Sequence, residues 1–402
     1  MNERNYELHV PKATTTETSG ANLDSDTHEV RSFSQVKVGK PILPTDTNGD
    51  YNNHDDDTYN IISPEDGELT MELQTALDEG KDLLLCPGIF FLTKPLVVKH
   101  PNQVILGLGL ATLVAPQDGS PCIRVNAKTP GVRIAGLMLE ASVQTELPSP
   151  SPNANSDGVT SLIEFGEPDV TDDAGDATNP GLLSDIFTRV GGSNLDRSVS
   201  TDVMVRVHSG NVVGDNLWLW RADHVRLDKA NGEKPNDPNF PYYHQVRIGE
   251  CTTKNAIEVR GDNVKMYGLF CEHTTEHQMV WKGEGGSVTF FQCELPYDVD
   301  IDFGHDGFTG YYVDGKVDVH TARGIGVYSN FQVFNVHANA GIILPSKESI
   351  VLQNPFTRFL NNLGGIRNVV LQGKALAGDA VTEKSRIARS WVGEKRAIVK
   401  LV

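Results

Sequence analysis

Long hydrophobic runs are missing from this 402-residue sequence: none approaches the ~18 apolar residues of a membrane-spanning helix. Basic charge is scarce as well. Lys and Arg total 35 against 53 Asp and Glu, a formal net charge of −18. Nucleic acids and anionic membranes call for a basic footprint, so both are excluded as partners, whereas a neutral glycan fits. Cysteine is sparse and odd in number. Cys86, Cys122, Cys251, Cys271 and Cys293 have no compact disulfide spacing, and their settings in apolar segments predict buried thiols. HExxH, compact His/Cys metal spacings, a nucleophile elbow and a phosphate-cradling glycine loop are all absent, so no metal or other cofactor is expected. The opening MNERNYELHVPKATTTE lacks the apolar core of a signal peptide. Either a cytoplasmic protein or a leaderless piece of a secreted, extracellular one is therefore expected.

What is present divides unevenly. Residues 1–60 are polar and without periodicity, which predicts a flexible tail or the remnant of a preceding domain. Within them Asp46, Asn48, Asp50, Asn52, His54 and Asp57 sit at calcium-loop intervals. Tyr51 occupies the position where that loop needs Gly, so a solvated acidic linker is the preferred reading. A short helix follows over 64–79. Ser63 can cap it, Pro64 suits its first turn, Leu69, Leu73, Ala76 and Leu77 share one face, and Gly80 stops it.

From Leu83 to residue 373 the pattern becomes short apolar or alternating strands separated by Gly, Asn, Asp or Pro, with no long helical pattern. One phrase recurs: PGVRIAGLMLEA at 130–141, GNVVGDNLWLWRA at 210–222, GDNVKMYGLFCEH at 261–273, and a weaker GGIRNVVLQG at 364–373. Glu250, Glu272 and Glu294 fall at intervals of 22, and Cys271 and Cys293 repeat the same step. Such a step fits one coil of three short strands and three turns, stacked on its neighbour at about 4.8 Å. The expected fold is all-β: a single-stranded right-handed parallel β-helix over 61–373, pectin-lyase-like, with an N-terminal capping helix and a C-terminal cap or tail at 374–402. Alternation then turns the two cysteines inward and the glutamates outward. Insertions at 142–182 and 225–244 are placed to wall a groove, and LIEFG at 162–166 returns to the barrel.

The densest polar and aromatic segments are 218–224, 271–281 and 290–302. Stacked coils bring Glu272 and Glu294 onto one outer face. Two neighbouring carboxylates raise each other's proton affinity, and a carboxyl so raised can act as general acid on a glycosidic oxygen. Trp218, Trp220, Trp281 and Tyr297 offer the flat apolar surfaces on which sugar rings stack. Asp223, His224, His273 and His277 are candidates for proton sharing or orientation, and Gln292 and Asp298 for substrate contacts. A solvated outer glutamate file and core tryptophans account for the same pattern without any chemistry.

At these residues a resemblance emerges. VILGLGLATL, NVKMYGLFCEH and VTFFQCELPYDV look like a group of microbial β-helix proteins often catalogued as adenylyl-cyclase-like or discoidin-type. More distantly they resemble glycoside hydrolase family 55, β-1,3-glucanases built from two tandem β-helices. In that family a Glu-His pair precedes a Gln-Thr-Glu-(Thr/Ala)-(Pro/Ala)-Tyr stretch whose Glu is the general acid. The corresponding residues here are Glu272-His273 and Gln292-Cys293-Glu294-Leu295-Pro296-Tyr297, with Cys293 in place of the usual Thr. The resemblance implies Glu294 as proton donor, inverting attack by water, and a polysaccharide or oligosaccharide substrate. It also implies a preceding β-helix half, where this chain has a polar segment. Glu272, Asp223, Asp298 and Asp300 are the candidate second groups. A polysaccharide lyase on an acidic glycan and a noncatalytic glycan-binding or structural solenoid are the alternatives to the hydrolase.

Overall fold

The computed structural model describes residues 66–145, 157–235, 241–360 and 363–372, together with the backbone of four short outlying strands, Glu7–Val10, Glu29–Ser32, Arg386–Ala388 and Ala397–Ile398. The candidate calcium loop at 46–57 lies outside the described residues.

Two large sheets, one of 12 strands and one of 10, run the length of the molecule. Strands that follow one another through the coils pair in parallel, as in Val213↔Lys265↔Ser287 and Val205↔Ile257↔Met279, which is the stacked β-helix that the short-strand pattern predicts. The strands of the larger sheet are long but bent. Gly136, Asp185, Asn216, Gly268, Phe290, Gly324 and Asn354 all have positive φ and occupy one register position, so every long strand turns a corner at the same place. Each coil therefore has three flat sides, although only two sheets are hydrogen-bonded as units. GLGLATL at 107–113 makes this corner in its own coil, where Gly109 and Leu110 are left-handed and the register shifts.

Side-chain alternation fills the interior with one continuous apolar cluster from Leu73 to Val370. Leu139, Thr188, Leu219, Cys271, Cys293 and Val327 form one inward file, apolar except at Thr188. Cys122, Cys251, Cys271 and Cys293 are buried and Cys86 is half-buried; all five are free.

The helix Asp66–Asp78 closes the first coil. Leu73 and Leu77 are buried on it, and Gly80 follows with φ 75°. Its polar side chains satisfy the open edge of the sheet. The Gln74 amide accepts from Val97 N at 2.7 Å and donates to Val97 O at 3.0 Å, while Thr70 Oγ accepts from Thr93 N at 3.1 Å. An uncovered edge would leave these groups free to pair with another chain.

The 22-residue step holds for Glu272 to Glu294 but not before it. Trp220, not Glu250, is the register partner of Glu272, 52 residues away. The difference is an insertion carrying the antiparallel hairpin His224–Arg226 with Tyr243–Gln245. Glu250 lies in the turn that follows, bonded to Arg197 and to the backbone N of Arg247. The expected three-glutamate file is thus a pair. LIEFG does return to the wall, as the buried strand Ser161–Phe165.

Candidate active site

Glu272 and Glu294 end two adjacent strands, Lys265–Glu272 and Gly286–Glu294, in direct register. Because Cys271 and Cys293 point into the core, both glutamates must point out. Their file reads Glu140, Arg189, Trp220, Glu272, Glu294, Tyr328, Arg358 along the axis of the solenoid. Two residues earlier on each strand runs a second outward file: Met138, Phe187, Trp218, Phe270, Gln292, Gly326, Phe356. Carboxylates and aromatic rings therefore lie side by side over several coils.

The two carboxylates are held differently. The Trp218 indole N–H donates to Glu272 Oε2 at 2.8 Å. Burial is the main reason that the Glu272 carboxyl lies above the usual range, and the neighbouring Glu294 adds to the rise. His273, Trp218 and Gln292 pull the other way without cancelling it. Glu294 instead accepts a short hydrogen bond on Oε2 from the Tyr297 hydroxyl, whose ring packs edge-on against His273 at 4.5 Å. Burial and that carboxylate keep the Tyr297 phenol protonated far above its ordinary range.

Asp223 and His224 follow the strand that carries Trp218 and Trp220. His224 Nδ1 lies 2.8 Å from Asp223 Oδ1. Burial opposes ionisation of Asp223, but the His224 bond and the field of His273 outweigh it and hold the carboxyl below its usual range. The same bond raises the His224 imidazole. The inserted hairpin brings Tyr243 edge-on to His224 at 4.9 Å, and the Trp220 ring lies 5.4 Å from the same imidazole. This insertion walls the site at that point. His273 is buried with φ 66°, and its Nδ1 has no hydrogen-bond partner among the described residues.

Four expected candidates are placed elsewhere. Trp281 is fully buried, donates to Gly283 O at 3.0 Å and covers Gly286, so it is core and presents no face to a sugar. Asp298 is buried in a bidentate pair with Arg221 and has no free oxygen for substrate. His277 stacks on Tyr312 at 4.4 Å and accepts from Thr309 N at 3.2 Å, which orders a turn next to the second sheet. Burial drives its pKa down to about 4, so it is neutral. Asp300 accepts from Asp302 N at 3.0 Å and starts a helical turn. Tyr328, Arg189 and Glu140 were not singled out in the sequence, although each aligns with the glutamates. Arg189 donates to Glu140 Oε2 at 3.0 Å. Their signal was strand alternation alone, which needs the register to become a neighbourhood. Among the described residues no group of three or more His, Cys, Asp or Glu is arranged to hold a metal ion.

Comparison with known proteins gives consistent matches. The family model described as the LAM55 pectate lyase-like domain matches residues 61–294. An exo-beta-1,3-glucanase of Streptomyces sp. (strain SirexAA-E / ActE) is 29% identical over 330 residues, covering 80% of this chain and 48% of its own. The solved structure of sacteLam55A from Streptomyces sp. SirexAA-E superposes with a TM-score of 0.63 at 27% identity, over 80% of this chain and 52% of that one. A variant of sacteLam55A in complex with glucose gives 0.62 at 28% identity, over 77% and 51%. The chain thus spans about half the length of the relatives it matches. These matches support the glucanase side of the resemblance and lend none to the adenylyl-cyclase-like or discoidin-type grouping.

Proposed function

Because the chain belongs to the LAM55 pectate lyase-like domain family, we propose that it is an inverting glycoside hydrolase of β-1,3-linked glucan, with Glu294 as general acid. The observation that carries this reading is the Glu272–Glu294 register pair on an outer face lined by Trp218 and Trp220. The relative from Streptomyces, an exo-beta-1,3-glucanase, points to the same substrate.

An inverting acid donates its proton to the leaving oxygen while a base activates water on the opposite face of the sugar, the two carboxyls standing ~6.5–9.5 Å apart. Strands in register are only about 4.8 Å apart, which makes Glu272 a poor base for water on the far side. Its proton affinity, raised chiefly by burial, suits it instead to holding or relaying a proton beside the acid. The Tyr297 hydroxyl fixes which Glu294 oxygen is free to donate. Asp223, kept ionised by His224, is the carboxylate suited to the basic role or to orienting the base. Trp218 and Trp220 supply stacking surfaces, with His224 at the rim.

A lyase would need a free cation to neutralise a uronate. Arg189 is bound to Glu140 and Arg221 to Asp298, and Arg358 stands two coils beyond Glu294, so no cation adjoins the two carboxylates in the register, which favours the hydrolase. The test is a panel of β-glucans incubated with wild type beside Glu294→Gln and read by product chromatography. Reducing sugar is expected from β-1,3-glucan with wild type only. Folded wild-type protein that releases nothing from any β-glucan would sink the hydrolase.

A further inference from the structure

The strands Gly286–Glu294 and His320–Ser329 run in register to their ends, where Glu294 faces Tyr328. Their pairing outlasts the strands. Leu295 N donates to Tyr328 O at 2.9 Å, and Gln332 N donates to Tyr297 O at 3.1 Å. Phe331 is buried in the core and bridges to Leu363. The segment 328–332 is thus held at both ends and anchored from below, with half-buried Asn330 in its middle.

Asn330 hydrogen-bonds the Tyr297 hydroxyl there. A phenol has one proton, and that of Tyr297 goes to Glu294 Oε2. A second partner must therefore donate to the phenol oxygen, so Asn330 presents its amide N–H. Its carbonyl oxygen Oδ1 is left buried with no partner among the described residues. An orphaned buried acceptor costs stability, whereas an apolar side chain of similar size would leave nothing of its own unpaired. Keeping the amide points to a use for its N–H.

That use lies at Glu294. A hydroxyl that accepts a hydrogen bond at its oxygen becomes a stronger donor through its proton. Asn330 N–H, Tyr297 O–H and Glu294 Oε2 form a directed chain that ends on the carboxyl read as the general acid. With Oε2 engaged as an acceptor, Oε1 is the oxygen left to carry a proton to substrate.

We propose that Asn330 is a positioning residue of the reaction, which holds the Tyr297 hydroxyl on Glu294 Oε2 and so leaves Oε1 to deliver the proton. The proposal rests on reading Glu294 as the general acid. Other ionisable groups near this chain are Glu272 on the preceding strand, His273 against the Tyr297 ring, and Asp223. Substitution at position 330 alters none of them.

The test sets Asn330→Leu and the isosteric Asn330→Asp beside wild type. The pH profile of β-1,3-glucan hydrolysis is measured together with a carbon NMR titration of the Glu294 carboxyl, assigned by its loss in Glu294→Gln. Both substitutions weaken the donor that favours ionised Glu294, so its titration midpoint and the alkaline limb of the profile should rise together. A rise of about half a pH unit is expected for Leu, and about one unit or more for Asp, whose carboxylate competes for the phenol proton. In a Tyr297→Phe background Asn330→Leu should add no further rise, because its route is gone. A midpoint unmoved in both variants, or an equal rise with and without the Tyr297 hydroxyl, overturns the proposal. A midpoint that rises in protein whose wild type shows no turnover supports the hold of Asn330 on Glu294 and sinks the hydrolase reading alone.

Discussion

Arg221 and Asp298 form a fully buried bidentate ion pair, at 2.8 Å and 2.7 Å, directly beneath the Glu272–Glu294 face. The remaining three guanidinium N–H groups go to the carbonyls of Cys251, His273 and Glu250 at 2.7, 3.0 and 2.9 Å. All five donors are thereby matched. One side chain ties together the end of the 223–250 insertion, the His273 turn and the segment that carries Tyr297.

Asp298→Asn leaves a buried guanidinium without its counter-charge and should cost about 3–5 kcal/mol. Urea denaturation checks this. Arg221→Met with Asp298→Leu should recover only part of the loss, because removing the charges together still leaves the Cys251, His273 and Glu250 carbonyls without their donor.

Glu272→Gln should make the protein more stable at neutral pH. A carboxyl whose folded proton affinity is raised above its ordinary value of 4.5 penalises the folded state once it is forced to ionise. The penalty is absent in acid and grows as pH rises past that value, so the gain from Gln should vanish at low pH. Thermal melts of both proteins across pH would show it; equal melting temperatures at every pH would contradict it.

Trp218→Phe removes the indole N–H that favours ionised Glu272, while Phe keeps an aromatic ring. The Glu272 carboxyl should rise further, and the pH profile of glucan hydrolysis should move its alkaline limb, where the acid side loses its proton, upward. Nuclear magnetic resonance titration of the glutamate carboxyl carbons reads the same shift without turnover.

Two buried histidines should make the fold acid-sensitive. Burial pushes His277 down to about 4 and His320 to about 3, the latter also hydrogen-bonded through Nε2 with the Tyr311 hydroxyl at 2.6 Å. Both bind protons in the unfolded chain before they do in the folded one. Stability contributed above the ordinary value of 6.5 is therefore lost as pH falls from there toward 4. His277→Asn should flatten part of that slope in denaturation measurements.

Thiol reagents should find little to react with in the native protein. Burial raises the Cys251 thiol to about 11 and holds Cys122, Cys271 and Cys293 higher still. Only half-buried Cys86 is expected to react rapidly, and all five should react in denaturant.

Much of the architecture was legible in the residues, for local reasons. Short alternating runs between turn residues demand strands, and the apolar face of 66–78 followed by Gly80 demands a helix that ends there. Inward Cys271 and Cys293 with outward Glu272 and Glu294 followed from a period of two. Glu250 shows where such reasoning stops: its spacing matched the file, yet the hairpin inserted between Asp223 and Cys251 moved it to a turn and left Trp220 beside Glu272.

Composition and alternation alone therefore determined that this chain is a stacked-strand solenoid with carboxylates on its outer surface. Which side chains meet was decided by the tertiary structure. The Trp218 bond to Glu272 spans 54 residues and the Arg221 pair with Asp298 spans 77. Insertions of different length separate neighbouring coils in the sequence, while pairing at about 4.8 Å brings the coils back into contact regardless of that length. For that reason Trp281 and Asp298, polar and aromatic neighbours of the site along the chain, are interior supports, whereas Tyr328 and Phe356 from later coils stand beside Glu294.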